Sequence, residues 1–301
     1  MTASPRPLWL ILAPAIFLIL WSAGFAIAKI GVEHAQPITL LAWRYGLVVA
    51  LLAPVALFVR PAWPATPRAW VDIAITGFLI QVVYFVLCYI AFKSGVSAGG
   101  VAIIVCLQPI LVALIAPRFV GERVSLAGWI GLGLGLSGAA LTIWSRSAIA
   151  AENAFGLVLV VGALFGITAG TLWEKRFGIR QHPVAVNMIQ YGVGAAVTIP
   201  LALLTEDTTV SWDMELVAVL AYLVIGNSLV AIGLLLAMIR HGEVSRVSSL
   251  FYLVPPLSAL FAWPLLGEAM PPLGWVGMAL AAGGVALVSR RAKPAPVPAR
   301  P

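Results

Sequence analysis

Charge is scarce in this chain. Only 10% of its 301 residues are Asp, Glu, Lys or Arg, against about 25% in a soluble domain, which excludes a body kept in water by its own surface. Cysteine is scarcer still. Cys88 and Cys106 each lie inside an apolar run, which excludes a secretory disulfide framework, and two thiols make no zinc cluster. The three histidines, His34, His182 and His241, fall in the connections between apolar runs, and there is no HExxH stretch. Gly226-Asn227-Ser228 has the look of a serine nucleophile but has no histidine in the membrane to serve as its base. Gly131, Gly133, Gly135 and Gly138 imitate a dinucleotide fingerprint without the strand that such a loop requires. An enzyme is therefore not expected, and neither a metal nor a cofactor is implied.

Apolar sequence fills the space that these absences leave. The chain is 62% hydrophobic, with a mean hydropathy of +1.05, so lipid must cover its outside. Ten segments reach the roughly 17–25 residues needed to span a bilayer: about 8–29, 38–59, 69–92, 96–117, 124–145, 154–174, 184–204, 215–239, 244–266 and 272–289. Lipid offers a backbone no outside hydrogen-bond partner, so each reads as a helix. The expected fold is an all-α polytopic membrane protein. The first segment is too long for a signal peptide, and no connection is long enough to hold a soluble domain.

The chain is also written twice. Lys29 falls on Lys175 (175 − 29 = 146), and the same offset carries Pro37 onto Pro183, Pro109 onto Pro255, Gly121-Glu122 onto Gly267-Glu268 and Gly138 onto Gly284. Each copy holds five apolar segments. Five is odd, so the second copy enters the membrane from the opposite side, an inverted-topology repeat of the kind secondary transporters use. The expected division is a first five-helix repeat over 1–146, a second over 147–290, and a disordered basic tail over 291–301. Residues Gly131 and Gly135, with Gly277 and Ala281 at the same places in the second copy, read as small-residue faces for close helix packing, within a protomer or between protomers of a homo-oligomer.

Basic residues report the orientation. Of the 18 Lys and Arg, all but Lys29, Arg44, Lys93 and Arg146 fall at the N-terminus, in the even-numbered connections or at the C-terminus. The positive-inside rule places that side, with both termini, in the cytoplasm. The excess is a topology signal, and no nucleic-acid partner is expected.

Prolines and the few polar residues inside the spans mark a candidate pathway. Pro109 lies within the fourth span, and Pro255 and Pro256 lie within the ninth. Each removes a helix hydrogen bond, leaving the carbonyls of Val105, Phe251 and Tyr252 in need of a partner. Broken helices at matching places in two halves point to a binding site, so these prolines are candidate gating residues. Candidate substrate-binding residues are Trp21, Ser22 and Phe25 in the first span and Phe78, Gln81, Tyr84 and Phe85 in the third. Gln108, Thr168, Thr171, Asn227, Ser248 and Tyr252 complete the set. Aromatic faces would take an apolar body, and amides and hydroxyls a polar end. Arg44 stands inside a span where its repeat partner is Gln190; tying helix-end carbonyls and binding substrate are both open to it. No acid sits at the midplane of a span.

The run Trp21, Phe25, Lys29, Pro37, Arg44 and the two proline-then-Gly-Glu endings resemble the drug/metabolite transporter superfamily in its EamA-type exporter branch, over about residues 8–290. The resemblance implies a carrier of the bacterial inner membrane that works by alternating access. Spans one, three, four, six, eight and nine would wall the cavity, with five and ten peripheral. It also implies export of small amphipathic metabolites, aromatic amino acids among them. An importer or broad drug exporter of the same fold is one alternative. A passive channel is another, and would carry a continuous polar stripe.

Overall fold

The computed structural model describes residues 8–119, 125–145, 154–177, 181–234, 238, 253–267 and 269–289. Among these every regular element is helical, and six helices are long and apolar enough to cross a bilayer. In chain order they are α1 (Leu8–His34), α2 (Pro37–Val59), α3 (Pro67–Gly77) continued by a π-helical stretch (Phe78–Tyr84) and α4 (Phe85–Lys93), α8 (Ala154–Phe177), α9 (Pro183–Thr205), and α10 (Met214–Ala221) continued by a second π-helical stretch (Tyr222–Ala231). Shorter or partly described pieces are α5 (Ala98–Val105), α6 (Gln108–Phe119), α7 (Leu126–Ser145), α11 (Val254–Leu266) and α12 (Pro272–Ser289).

Local chemistry sets the helix ends. Pro37 and Pro183 open α2 and α9, where a missing N–H costs nothing. Thr66, Ser97 and Asp213 cap α3, α5 and α10 through side-chain oxygens that accept from backbone N–H groups. Three features differ from the sequence reading. Helix α1 runs on to His34, so this histidine ends a helix and does not lie in a connection. Span three contains a wide π turn. Span four is two helices: α5 stops at Val105, and α6 restarts at Gln108. Pro109 thus sits in the first turn of a new helix and is not a kink inside a continuous one, because its lost N–H is harmless there.

Packing follows one pattern. α2 lies against α9, α7 against α12, α1 against α11 and the second π stretch, and α8 against α3, α4, α5, α6 and the first π stretch. Among the described residues the α7–α12 pair touches the rest mainly at the break in span four, where Met278 packs near Cys106 and Leu107. Within the pair a Cβ on Gly138 would collide with the carbonyl oxygen of Gly277, and one on Gly284 with that of Gly131. Only hydrogen fits, so the two backbones touch. Around the outside, Leu57, Phe58, Leu126 and Leu204 are among many large apolar side chains left exposed, as a lipid-facing surface requires.

One end of the bundle is tied together. Glu206 closes the N-terminus of α2, its carboxylate accepting from Ile38 N–H at 3.0 Å, Thr39 N–H at 2.8 Å and the Thr39 hydroxyl at 2.9 Å. An anion at a helix N-terminus is worth on the order of 1 kcal/mol. At the same end Lys93 donates to the Val32 carbonyl at 2.9 Å, and His34 meets Asp213 at 3.0 Å and Glu215 at 3.4 Å. At the opposite end Arg176 donates to the Phe119 carbonyl at 2.8 Å and lies over the Phe119 ring.

Candidate functional site

The centre of the bundle is built around Arg44. It enters from α2, about two turns from Pro37, and is 1% exposed. Its Nε donates to Ser228 Oγ, one terminal nitrogen to Tyr89 OH and the other to Asn227 Oδ1, each at 3.0 Å. Three spans therefore converge on one guanidinium. Neighbouring residues Asn227 and Ser228 both reach it from the second π stretch. Asn227 is fixed by a second bond, its Nδ2 donating to the Leu20 carbonyl at 3.2 Å, and Gly24 opposite leaves no room for a Cβ beside that amide. The Phe85 ring lies 4.7 Å beneath the guanidinium carbon, a cation–π distance. No carboxylate lies within 4.0 Å of Arg44 among the described residues.

Two small hollows adjoin this centre. One, of about 20 Å³, is lined by Arg44, Tyr84, Phe85, Tyr89, Asn227, Trp21 and Phe25, among others. The second, of about 10 Å³, lies at the span-four break and is lined by Val105, Cys106, Gln108, Pro109, Ile167 and Val254, again with Trp21 and Phe25. Trp21 and Phe25 are the wall they share. Each hollow has room for little more than a water molecule. The carbonyl of Val105, four residues before Pro109, belongs to a residue lining the second.

Several of the expected site residues line the two hollows. Trp21, Phe25, Tyr84, Phe85 and Asn227 line the first hollow, and Gln108 and Pro109 the second. Gln108 Nε2 donates to Thr171 Oγ1 at 2.7 Å, tying the break to α8. Ser22 is fully buried, its hydroxyl is unpaired among the described residues, and its carbonyl accepts from Ser258 at 2.9 Å. Gln81 is also fully buried, with both amide atoms unpaired among the described residues. Thr168 turns back to the Leu164 carbonyl at 2.6 Å. Phe78 departs from the expectation: it is 45% exposed and lines neither hollow. It opens the π stretch, whose wider turn breaks the i, i+3, i+4 register that grouped it with Gln81 and Tyr84. Pro255 and Pro256 fall in the first turn of α11, matching Pro109 in α6. Ser248 and Tyr252 lie outside the described residues. What spacing alone missed is the central role of Arg44 and its pairing with Tyr89, Asn227 and Ser228.

A bundle of apolar spanning helices around a buried aromatic and polar centre defines a membrane transporter. The chain belongs to the EamA-like transporter family, which matches it over residues 7–144 and again over 154–290. It is similar to the uncharacterized inner membrane transporter YedA of Escherichia coli, at 22% identity over 90% of this chain and 87% of that one. It is 25% identical to a probable amino-acid metabolite efflux pump of Salmonella typhimurium, over 90% and 91% of the two chains. It is 28% identical to a probable terminal-alkyne amino-acid exporter of Streptantibioticus cattleyicolor, over 93% of each. A crystal structure with 22% identity superposes with a TM-score of 0.68, covering 94% of this chain and 98% of the other, and so shares the fold. The protein is a multi-pass membrane transporter, and its relatives' names fit the inner membrane.

Proposed function

We propose that this transporter exports small amphipathic metabolites, amino acids including aromatic ones, from the cytoplasm by alternating access between two inverted five-helix halves. The observation that carries the reading is the pair of hollows divided by Trp21 and Phe25 beside a broken span. Aromatic walls offer contact to an apolar body, and the amide and hydroxyl groups around Arg44 offer an orienting polar end. The hollows are too small for an amino acid, so the solute is admitted only when the lining helices part. A carrier needs that rearrangement, whereas a channel needs a continuous wet stripe.

The inverted repeat is supported by the reciprocity of the packing. Spans one and eight pair as do six and three, spans one and nine pair as do six and four, and two meets seven as five meets ten. Relatives named as amino-acid exporters support the substrate class. The orientation rests on the basic side chains: Arg68, Arg180 and Arg246 would face the cytoplasm, and Glu152 and Asp207 the outside.

Proteoliposomes holding the full chain test the reading by counterflow against a panel of neutral amino acids and cationic drugs. Counterflow of aromatic amino acids is expected. Flux of the drugs alone, or flux of every solute without saturation, would overturn it. Cysteine substitutions labelled by an impermeant reagent in intact cells test the topology, and labelling from outside at position 180 would sink it.

A further inference from the structure

We infer that Arg44 is the docking group for the carboxylate of the transported solute. The inference rests on the exporter reading above and adds to it a chemical requirement: the solute must bring an anion. Guanidinium has five N–H donors. Three are committed to Ser228, Tyr89 and Asn227, which leaves one on each terminal nitrogen, beside a hollow that Arg44 itself lines. All three acceptors are neutral. A cation taken out of water at the depth of a membrane span is strongly disfavoured unless an opposite charge meets it, and among the described residues the protein supplies none within reach. The acids of the tied end, Glu206, Asp213 and Glu215, are engaged with the α2 terminus, Leu216 and His34. Glu174 is held by Gln190. The Tyr89 phenol, 3.0 Å away, accepts from Arg44 and carries no charge.

The three bonds also aim the group. Ser228, Asn227 and Tyr89 hold the fork from two other spans, so little freedom is lost when a planar carboxylate meets it. The solute's body would then lie toward Trp21 and Phe25, and its passage would require that partition to swing and join the two hollows. The same cation repels positively charged solutes, which separates this site from one built for cationic drugs.

The test compares three probes of similar bulk in proteoliposomes: L-phenylalanine, phenylpropionate, which lacks the ammonium, and phenethylamine, which lacks the carboxylate. The wild-type protein is expected to take up the first two and to disfavour phenethylamine by about 30-fold or more. Arg44→Gln should erase that discrimination while still passing phenethylamine, which shows that the variant is folded. Phenethylamine flux equal to phenylalanine flux in the wild type would keep the exporter reading and overturn the role of Arg44. So would an Arg44→Gln protein that discriminates as the wild type does. Absence of flux for all three probes would overturn the exporter reading itself, and the inference with it. If Arg44→Gln fails to insert, Arg44→Lys decides, since it keeps the charge but loses the planar fork. Its phenylpropionate uptake must fall several-fold with phenethylamine unmoved, and an unchanged ratio would overturn the assignment.

Discussion

Arg44 and Gln190 occupy equivalent places in the two halves, 146 residues apart, and they have come to opposite chemistry. Arg44 is buried among three neutral acceptors from two other spans. Gln190 donates to a carboxylate, Glu174, at 3.2 Å. Between them Tyr45 and Tyr191, equivalent to each other, meet with ring centroids 5.6 Å apart. Elsewhere the halves kept the same chemistry. Gly138 and Gly284 make the same backbone contact from opposite sides, and the π stretches carry Gln81 and Asn227 at matching positions. Packing is shared because both halves must close the same bundle. The polar centre is not, as the proposed solute with unlike ends would require of its walls.

The largest effect should come from the asymmetric pair. Arg44→Gln should lower transport of a carboxylate-bearing solute by at least about 30-fold, the cost of leaving a buried charge without its partner. Gln190→Ala should lower it only a few-fold, since it removes one hydrogen bond from a partly buried acid. Equal losses in counterflow would mean that the two centres do the same work, and the comparison would fail.

The glycines test the symmetric part. Gly138→Ala and Gly284→Ala each force a methyl against a backbone carbonyl, a strain of about 1–3 kcal/mol. The two losses in thermal stability, measured in detergent, should match. Gly133→Ala, which meets nothing within 4 Å, should instead be neutral or slightly stabilising, because helix propensity favours alanine by about 1 kcal/mol. Unequal losses at positions 138 and 284 would break the symmetry argument.

A third effect concerns the break in span four. Pro109→Ala restores an N–H that can reach the Val105 carbonyl, so α5 and α6 gain the option of joining. Transport should fall by about tenfold, the equivalent of ~1.4 kcal/mol in the balance of access states, with insertion and solute binding near normal. Unchanged transport in the Pro109→Ala/Pro255→Ala double variant would reduce both prolines to packing.

How much of this was legible in the sequence depends on how local the cause is. Proline chemistry is local, so Pro109 and Pro255 announced a discontinuity, although not that each would open a fresh helix. The apolar runs were legible because length is read along the chain. The setting of Arg44 was not. Its partners Tyr89, Asn227 and Ser228 are separated from it by 45, 183 and 184 residues, and no spacing rule spans that distance. The π stretches leave no local signature either. They also misled: a 3.6-residue period places Phe78 with Gln81, and the wider turn puts it outside.

The smallest effect distinguishes two caps that start equivalent spans. Thr66 caps α3 with a hydroxyl that accepts from Ala69 N–H at 3.3 Å, whereas Asp213 caps α10 with a carboxylate that accepts from Leu216 N–H at 2.7 Å. The Leu216 N–H foremost, and the neighbouring His34, hold the Asp213 carboxyl below the usual aspartate range. A carboxyl depressed on folding stabilises the protein above its unfolded pKa, near 3.9, and loses that contribution as pH falls through the lower folded value. Wild type should therefore be slightly more stable than Asp213→Asn by a margin that is flat from about pH 5 upward and shrinks below about pH 4. The deficit of Thr66→Ala should stay constant over the same range, because a hydroxyl does not titrate there. Thermal melts of the three proteins in detergent across that range make the comparison. A margin for Asp213→Asn that changes between pH 6 and 8 would show that a group other than the Asp213 carboxylate sets the pH response of this end of the bundle.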